Sequence, residues 1–253
     1  IDEVKTREQL AEEVAELRRW SDIWHRIAEI FLTVDDEDMY ADVLAVVLDA
    51  TESKHGVFGY INEDGNMICP SMTRTIWDKC QMADKTIVFQ RDTWSGIWGR
   101  ALVEKNTLYS NAPSDVPEGH IPIQRSLAVP IIHRDQVVGL LHVANKPTDY
   151  DESDVWLLEN IADHIAPVLK ARLQRDDHER RRREIEETVR ESENKFRSLF
   201  EQAGDYILIL ELPPDGTPLI VNANQAAIEK HGFTHDEFIG KPLSDLDDEV
   251  NRE

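Results

Sequence analysis

Two side chains in an irregular stretch of the sequence could hold a cofactor. Cys80 lies in the segment TIWDKCQM, and His120 lies in the loop VPEGHIPIQR. A cysteine can act as a nucleophile, a metal ligand or an attachment point for a tetrapyrrole, and an imidazole can ligate haem iron. A single cysteine also occurs as an inert, small apolar residue, as we expect for Cys69 in a strand. Haem or another tetrapyrrole at Cys80, with His120 as axial ligand, is one hypothesis.

A second group of side chains could surround a small molecule. In WSGIWGR, residues 94–100, two tryptophans lie beside glycines, which permit tight backbone geometry. The two tryptophan rings could line a ligand pocket, or they could simply fill the core. His142 alternates with Leu141 and Val143 and faces away from them, as a ligand contact or as a structural histidine. Arg125 and Lys146 could bind an anionic ligand, or they could be surface charges paired with acidic side chains. The predicted ligand-binding residues are Trp77, Cys80, Trp94, Trp98, Gly99, His120, Arg125 and His142.

Motifs for catalysis are missing from the sequence. His178, Glu179 and Arg180 resemble a histidine-kinase phosphoacceptor box, but no proline or apolar pair follows them. A nucleophile elbow, a zinc-ligand spacing pair and a phosphate-binding loop are not found either. We therefore expect no enzyme activity in this segment, and place any chemistry in an output domain further along the polypeptide.

The charge of the chain limits its partners. The 253 residues include 50 acidic and 28 basic side chains, for a net charge of −22. Phosphate backbones and anionic lipids would repel such a surface, which argues against nucleic acid and membrane contact. Only two cysteines occur, with no apolar leader and no apolar run of bilayer length, which predicts a cytoplasmic location.

Two hairpins are predicted from the change of apolar period. Residues 54–62 and 67–72 flank a turn at 63–66, and the segments SLAVPIIH and QVVGLLHVAN flank Arg134 and Asp135. The second pair should lie at the centre of a sheet. The region 75–124 between the hairpins is less regular and contains a short helix near 98–105. Long irregular loops in compact domains usually take part in binding.

Long helices with apolar stripes flank this sheet. One stripe begins at Leu10 with a spacing near 3.5 residues, and another runs from 155 to 199, interrupted by the polar segment 174–183 and with Pro167 as a potential kink. A parallel homodimer would bury these stripes, although the first could instead lie on its own domain. The predicted dimerisation residues are Leu10, Val14, Leu17, Trp24, Leu169, Leu173, Ile185 and Val189.

The order of elements, with VPIIHRDQVVGLLHVANK followed by YDESDVWLLENIADHIAPVL, resembles a GAF domain over residues 22–173. Asn145, Lys146, Tyr150 and Asp154 match most of a pattern found in GAF domains of cyclic-nucleotide phosphodiesterases, with tyrosine in place of phenylalanine and Val155 in place of glutamate. The resemblance implies an antiparallel sheet with helices on one face and a small-molecule pocket on the other. It also implies that the lysine and the acid clamp the domain structurally.

The segments ESENKFRSLFEQAGDYILILE and VNANQAAIEKHGFTHDEFIGKPLSDL resemble the first half of a PAS domain. The implied fold class is α+β: a GAF-type sheet flanked by long coiled-coil helices, plus a partial PAS module. The predicted divisions are an N-terminal coiled-coil helix at 1–21, the GAF sensor domain at 22–173, a signalling-helix linker at 174–195 and a truncated PAS domain at 196–253.

The arrangement is typical of multi-domain sensor histidine kinases and related signalling proteins. It predicts a sensory fragment in which a small molecule in the GAF pocket shifts a dimeric helix, which a downstream output domain reads. Two alternatives stay open: a haem-binding redox or gas sensor through Cys80, and a GAF domain that serves only as a dimerisation scaffold and binds no ligand.

Overall fold

The computed structural model describes residues 6–72, 87–214 and 216–246, apart from the side chains of 8–13, 16, 17, 36, 37 and 72. The chain separates into two compact units that meet in sequence between Arg175 and Asp176. No helix within the described ranges has the length and apolarity needed to cross a bilayer.

The first unit is built on one antiparallel sheet. Its described strands are β1 (His55–Ile61), β2 (Met67–Met72), β3 (Val88–Phe89), β4 (Leu108–Ser110), β5 (Ser126–His133) and β6 (Gln136–Ala144). They lie in the order β3-β2-β1-β6-β5-β4, each antiparallel to its neighbours. The strands β1, β6 and β5 therefore form the centre, and this part of the predicted fold is confirmed.

Both predicted hairpins are present, and their turns have a local cause. Gly65, at a φ of +78°, lies in the β1–β2 turn, where its N–H donates to the carbonyl of Asn62 at 3.0 Å. Arg134 and Asp135 both have positive φ, as a two-residue turn between twisted antiparallel strands requires. The turns hold each strand in register, so alternate side chains keep to opposite faces of the sheet.

Helices cover the sheet on both faces. The helices α1 (Arg7–Thr33), α2 (Asp36–Ala50) and the first part of α4 (Glu152–Gln202) contribute to the larger core on one face, and α4 continues through Pro167. Leu141 and Val143 belong to that core, whereas Leu140 belongs to a smaller core on the opposite face. The short α3 (Gly96–Glu104), preceded by a 3-10 turn at Arg91–Thr93, packs there. We call this second face the α3 face.

The helix α1 crosses the predicted division at residue 21 without a break. Ile23 and Ile27 on α1 are buried in the larger core, because their spacing of four places both on one side of the helix. The α1 helix is therefore part of the first unit, as the alternative reading of its stripe allowed.

The residues predicted to dimerise have different environments. Leu169 has no exposed surface and packs in the domain's own core, so it cannot contact a partner helix, and Leu173 packs partly against the same core. The Trp24 ring stacks on His164 at 4.1 Å between centroids, within the same unit. Leu10 and Leu17 lie in α1, but their side chains fall outside the description. Of the residues predicted to dimerise, Val14, Ile185 and Val189 are exposed.

The second unit has a small core of its own. Its hairpin, β7 (Leu208–Glu211) and β8 (Leu219–Ala223), is followed by α5 (Gln225–His231) and α6 (His235–Phe238). Asn224 caps α5 through its side-chain oxygen, and Thr234 forms a capping box with Glu237 at α6. The strand, turn and helix order follows the sequence pattern, while membership of this unit in the PAS family stays a prediction.

Candidate ligand-binding site

One end of the α3 face is apolar and aromatic. Ala101 and Leu102 of α3 pack against Met67, Ala128 and Leu140. The partly buried Trp94 and Trp98 border this cluster with ring centroids 6.3 Å apart, and the Trp98 ring meets Phe89 edge-on at 5.7 Å. The two predicted tryptophans thus lie together on one side of the sheet.

Gly99 makes the tight packing of this aromatic end possible. A Cβ at position 99 would lie 2.8 Å from the carbonyl carbon of Trp94, which is closer than atoms of ordinary side chains approach. The indole N–H of Trp94 donates to the carbonyl of Phe89 at 3.2 Å and so orients the ring. The role of Gly99 shown by the structure is therefore close backbone packing.

The other end of the α3 face carries two unsatisfied polar atoms. Ala128 and Val57 lie opposite His142 on the neighbouring strands, and Ser126 lies opposite Ala144. Ser126 and His142 are therefore diagonal neighbours, about 7–8 Å apart between backbones. Among the described residues, the Oγ of Ser126 and the Nε2 of His142 are inaccessible to water and have no hydrogen-bond partner.

The His142 ring is held in its neutral form. Burial, together with a smaller repulsion from the neighbouring His120, lowers its pKa from 6.5 to about 4. The residue as a whole is partly exposed, although its Nε2 is not. A neutral imidazole has one nitrogen that donates and one that accepts, so it suits an uncharged hydrogen-bonding group.

The predicted His120 lies close enough to act on His142, in a loop that is fastened to the sheet. Its Nδ1 lies 2.7 Å from the carbonyl oxygen of Ile121, the geometry of an Nδ1–H donor. Asn145, in the left-handed conformation at φ +60°, accepts from the N–H of Gln124 and donates to the carbonyl of Pro122, both at 2.8 Å. The loop therefore closes over the polar end of the sheet.

Arg125 is engaged by the loop and strand rather than directed at a ligand. Its Nε donates to the Asp149 carboxylate at 3.0 Å, and a terminal nitrogen donates to the carbonyl of Lys146 at the same distance. Arg125 directly precedes β5, and the sequence suggested it as a charge that could meet an anionic ligand. The hydrogen bonds of its guanidinium group therefore hold the loop in place.

A buried clamp connects β6 to the start of α4. The ammonium group of Lys146 lies 2.6 and 2.8 Å from the two carboxylate oxygens of Asp154, which also accepts from the N–H of Asp151. The hydroxyl of Tyr150 lies 2.7 Å from that of Ser53, and burial raises the pKa of Tyr150. These residues serve the structure of the domain, as the family resemblance implied.

The thiol of Cys69 is buried and unreactive. This residue lies in β2, and burial raises the pKa of its thiol to about 12, so the thiolate is essentially absent near pH 7. The expectation that Cys69 is structural is confirmed. Trp77 and Cys80 lie outside the described residues. In the part of the chain that is described, no three His, Cys, Asp or Glu side chains form a metal-binding group.

Ser126 was not among the sequence candidates. Its signal is present in retrospect, because in SLAVPIIH the serine falls in the same alternation as Ala128 and is followed by six apolar residues. A polar residue at an inward position of a strand is the pattern to look for.

Comparison with known proteins agrees with this fold. A family model described as GAF domain matches residues 33–170, which is more than half of the chain. A methyl sulfide methyltransferase-associated sensor from Methanosarcina acetivorans is 27% identical over 113 residues, covering 42% of this chain and 11% of that protein. The chain thus spans about a tenth of that relative's length.

A solved structure supports the fold independently of sequence. The GAF domain of a phosphoenolpyruvate-protein phosphotransferase from Coxiella burnetii has a TM-score of 0.52 at 13% identity. The match covers 64% of this chain and 98% of that one. At this identity the likeness concerns the fold alone.

The expectation that this segment is not an enzyme is contradicted. The solved structures that match include a free methionine-R-sulfoxide reductase from Neisseria meningitidis, at 17% identity and a TM-score of 0.43, covering 60% of this chain and 90% of the reductase. That neighbour is an enzyme. The match assigns no activity to this chain.

Proposed function

Because the chain belongs to the GAF domain family, we propose that its first unit senses an uncharged small molecule bound against the α3 face. We further propose that α4 carries the bound state to a downstream output domain in the same polypeptide. The observation that carries this proposal is the pair of buried polar atoms without partners, Oγ of Ser126 and Nε2 of His142.

Unsatisfied buried polar atoms make a ligand energetically favourable. Each such atom costs about 1–3 kcal/mol relative to one that is hydrogen-bonded. A ligand that offers a partner to both Ser126 and His142 recovers much of this cost, and Trp94 and Trp98 supply apolar surface for the rest of the molecule. The proposed ligand is therefore small and partly apolar, with at least two hydrogen-bonding groups.

The charges around the site favour a neutral ligand. Lys146 is paired with Asp154, and Arg125 with Asp149. Burial keeps His142 neutral near pH 7. An anionic ligand such as a cyclic nucleotide would have to displace one of these carboxylates or charge a buried imidazole, both of which cost free energy.

The sensory role is supported by the relative that is named a sensor, and the relay by the packing of α4. Leu158, Ile165 and Leu169 of this helix are buried against the sheet core, and the helix continues to Gln202. A ligand with different affinities for two helix arrangements would shift the balance between them. We propose a cytoplasmic location for this relay.

The test measures binding directly. The 253-residue chain is screened by thermal shift against uncharged, hydrogen-bonding heteroaromatic compounds, and hits are quantified by calorimetry. We expect Ser126→Ala and His142→Phe each to weaken a hit about tenfold, since each removes one hydrogen bond in a buried site. The exposed His25→Phe serves as the matched control. Equal affinities in all four proteins would overturn the proposed site.

Two other outcomes would redirect the proposal. A Soret band with added covalent mass after expression with a haem precursor, lost in Cys80→Ala, would favour the haem alternative. A colourless chain that no compound stabilises would favour a scaffold without a ligand.

A further inference from the structure

The chain between β6 and α4 is fastened to the loop that carries His120. We call residues 111–125 the strap and residues 145–150 the α4 entry. At the start of the strap, the side-chain amide of Asn111 donates to the carbonyl of Tyr150 at 2.9 Å and accepts from the N–H of Tyr150 at 2.8 Å. This pair of bonds fixes the entry backbone on the strap at Tyr150.

The end of the strap is fastened to the same segment. Arg125 donates to the carbonyl of Lys146 and to the carboxylate of Asp149, both at 3.0 Å. The N–H of Asn145 donates to the carbonyl of Arg125 at 2.9 Å. Both ends of the strap therefore contact the α4 entry.

The α4 entry is in turn tied to the first turn of α4. Lys146 contacts both carboxylate oxygens of Asp154. The carboxylate of Asp151 accepts from the N–H groups of Ser153 and Asp154 at 2.9 and 3.2 Å. A displacement of the entry is therefore imposed on the start of α4.

The middle of the strap reaches the candidate ligand site. His120 lies close enough to the buried His142 to contribute to its lowered pKa. The N–H of Ser114 donates to the carbonyl of Ile123 at 2.9 Å, a bond that crosses the strap and holds its two halves together. A group that enters beside His142 therefore meets a loop whose two halves are linked and whose ends lead to α4.

We propose that Asn111 and Arg125 are positioning residues that transmit occupancy of the ligand site from the strap to α4. The inference rests on the proposed sensing function, because it names the path by which a compound beside Ser126 and His142 acts on the output helix. Such a compound displaces the strap, and the two ties carry the displacement to the α4 entry. Coupling of this kind travels through contiguous hydrogen bonds and packed side chains, and neither tie needs to touch the compound.

The test strains the strap and measures the effect on α4 by hydrogen–deuterium exchange in the 253-residue chain without a ligand. Gly119 in the strap has a φ of +82°, which an alanine adopts only with strain. We expect Gly119→Ala to speed exchange of backbone amides 150–156 about fivefold, through more frequent local opening. The matched control is Gly96→Ala at the start of α3, also at positive φ, with nothing within 4 Å of the added Cβ. It should change exchange of these amides by less than about twofold.

The second comparison removes the two ties. In the double variant Asn111→Ala with Arg125→Gln, adding Gly119→Ala should change exchange of the same amides by less than about twofold, because the strain no longer reaches the α4 entry. A merely structural role for the ties would leave the ratio at about fivefold, since independent effects add. That unchanged ratio would overturn the path. So would a missing response to Gly119→Ala in the original chain, or an equal response to Gly96→Ala.

Tryptophan fluorescence checks that each variant is folded. If the double variant is unfolded, Arg125→Gln alone takes its place, since this side chain is 28% exposed. One tie then remains, so the ratio should fall to about threefold, and a ratio that stays at about fivefold would overturn the inference. The measurement uses no ligand, so failure of the compound screen and failure of the path are separate outcomes.

Discussion

The clamp between Lys146 and Asp154 offers a quantitative test of the structure. The two side chains are only 15% and 6% exposed, and the ammonium group contacts both carboxylate oxygens. Lys146→Met leaves the Asp154 carboxylate buried, and it retains the hydrogen bond from the N–H of Asp151. Breaking a buried ion pair in this way costs about 3–5 kcal/mol. Because the Asp151 donor is retained, we expect a loss near the lower end, about 3 kcal/mol.

Urea unfolding followed by tryptophan fluorescence measures this loss in the relevant unit, because all six tryptophans lie between positions 20 and 156. The control is Arg100→Ala, which breaks an i,i+4 pair whose side chains are 65% and 42% exposed. That change should cost only about 0.3–0.5 kcal/mol. The double variant Lys146→Met with Asp154→Leu should be less destabilised than Lys146→Met alone, since no unpaired charge stays buried. If Lys146→Met costs no more than Arg100→Ala, the clamp does not stabilise the domain.

Three further predictions concern the two cores. The folded-state pKa of His142 is about 4 against 6.5, so the folded state loses stability as pH falls from 6.5 toward 4, because the unfolded chain binds a proton that the folded chain does not. This loss should reach about 2 kcal/mol at pH 5. It should be seen as a shallower pH dependence of unfolding in His142→Gln, and identical pH slopes would contradict it. Leu169→Ala should cost about 2–5 kcal/mol in urea unfolding because the side chain is fully buried. The control Val103→Ala, at a 66% exposed position, should change stability by less than about 0.5 kcal/mol. Equal losses in the two variants would place Leu169 outside the core. Gly99→Ala should cost about 1–3 kcal/mol of stability and shift the tryptophan emission maximum, because the alanine Cβ would press on the Trp94 backbone. An unchanged spectrum and stability would argue against the close approach of Gly99 to Trp94.

The sequence located the candidate site in part. His142 was identified because strand alternation alone separates it from Leu141 and Val143, a rule that depends only on local geometry. Ser126 was missed because its importance comes from the neighbouring strand, where Ala144 pairs with it and brings His142 within diagonal reach. Arg125 was included because its charge could meet an anionic ligand, and only the fold shows that Asp149 and the carbonyl of Lys146 bind it.

Local patterns determined the elements of this protein: apolar periods of two and near 3.6, the turn residues 134 and 135, and the helix-capping residues near 224 and 234. These depend on interactions between residues close in sequence, so the chain reveals them by itself. Tertiary structure decided which stripe of a helix is buried. Leu169 and Ile185 belong to the same apolar pattern of α4, yet the first lies in a core and the second is exposed. The difference arises because burial depends on which distant segments pack against a residue, and that information lies in no local pattern.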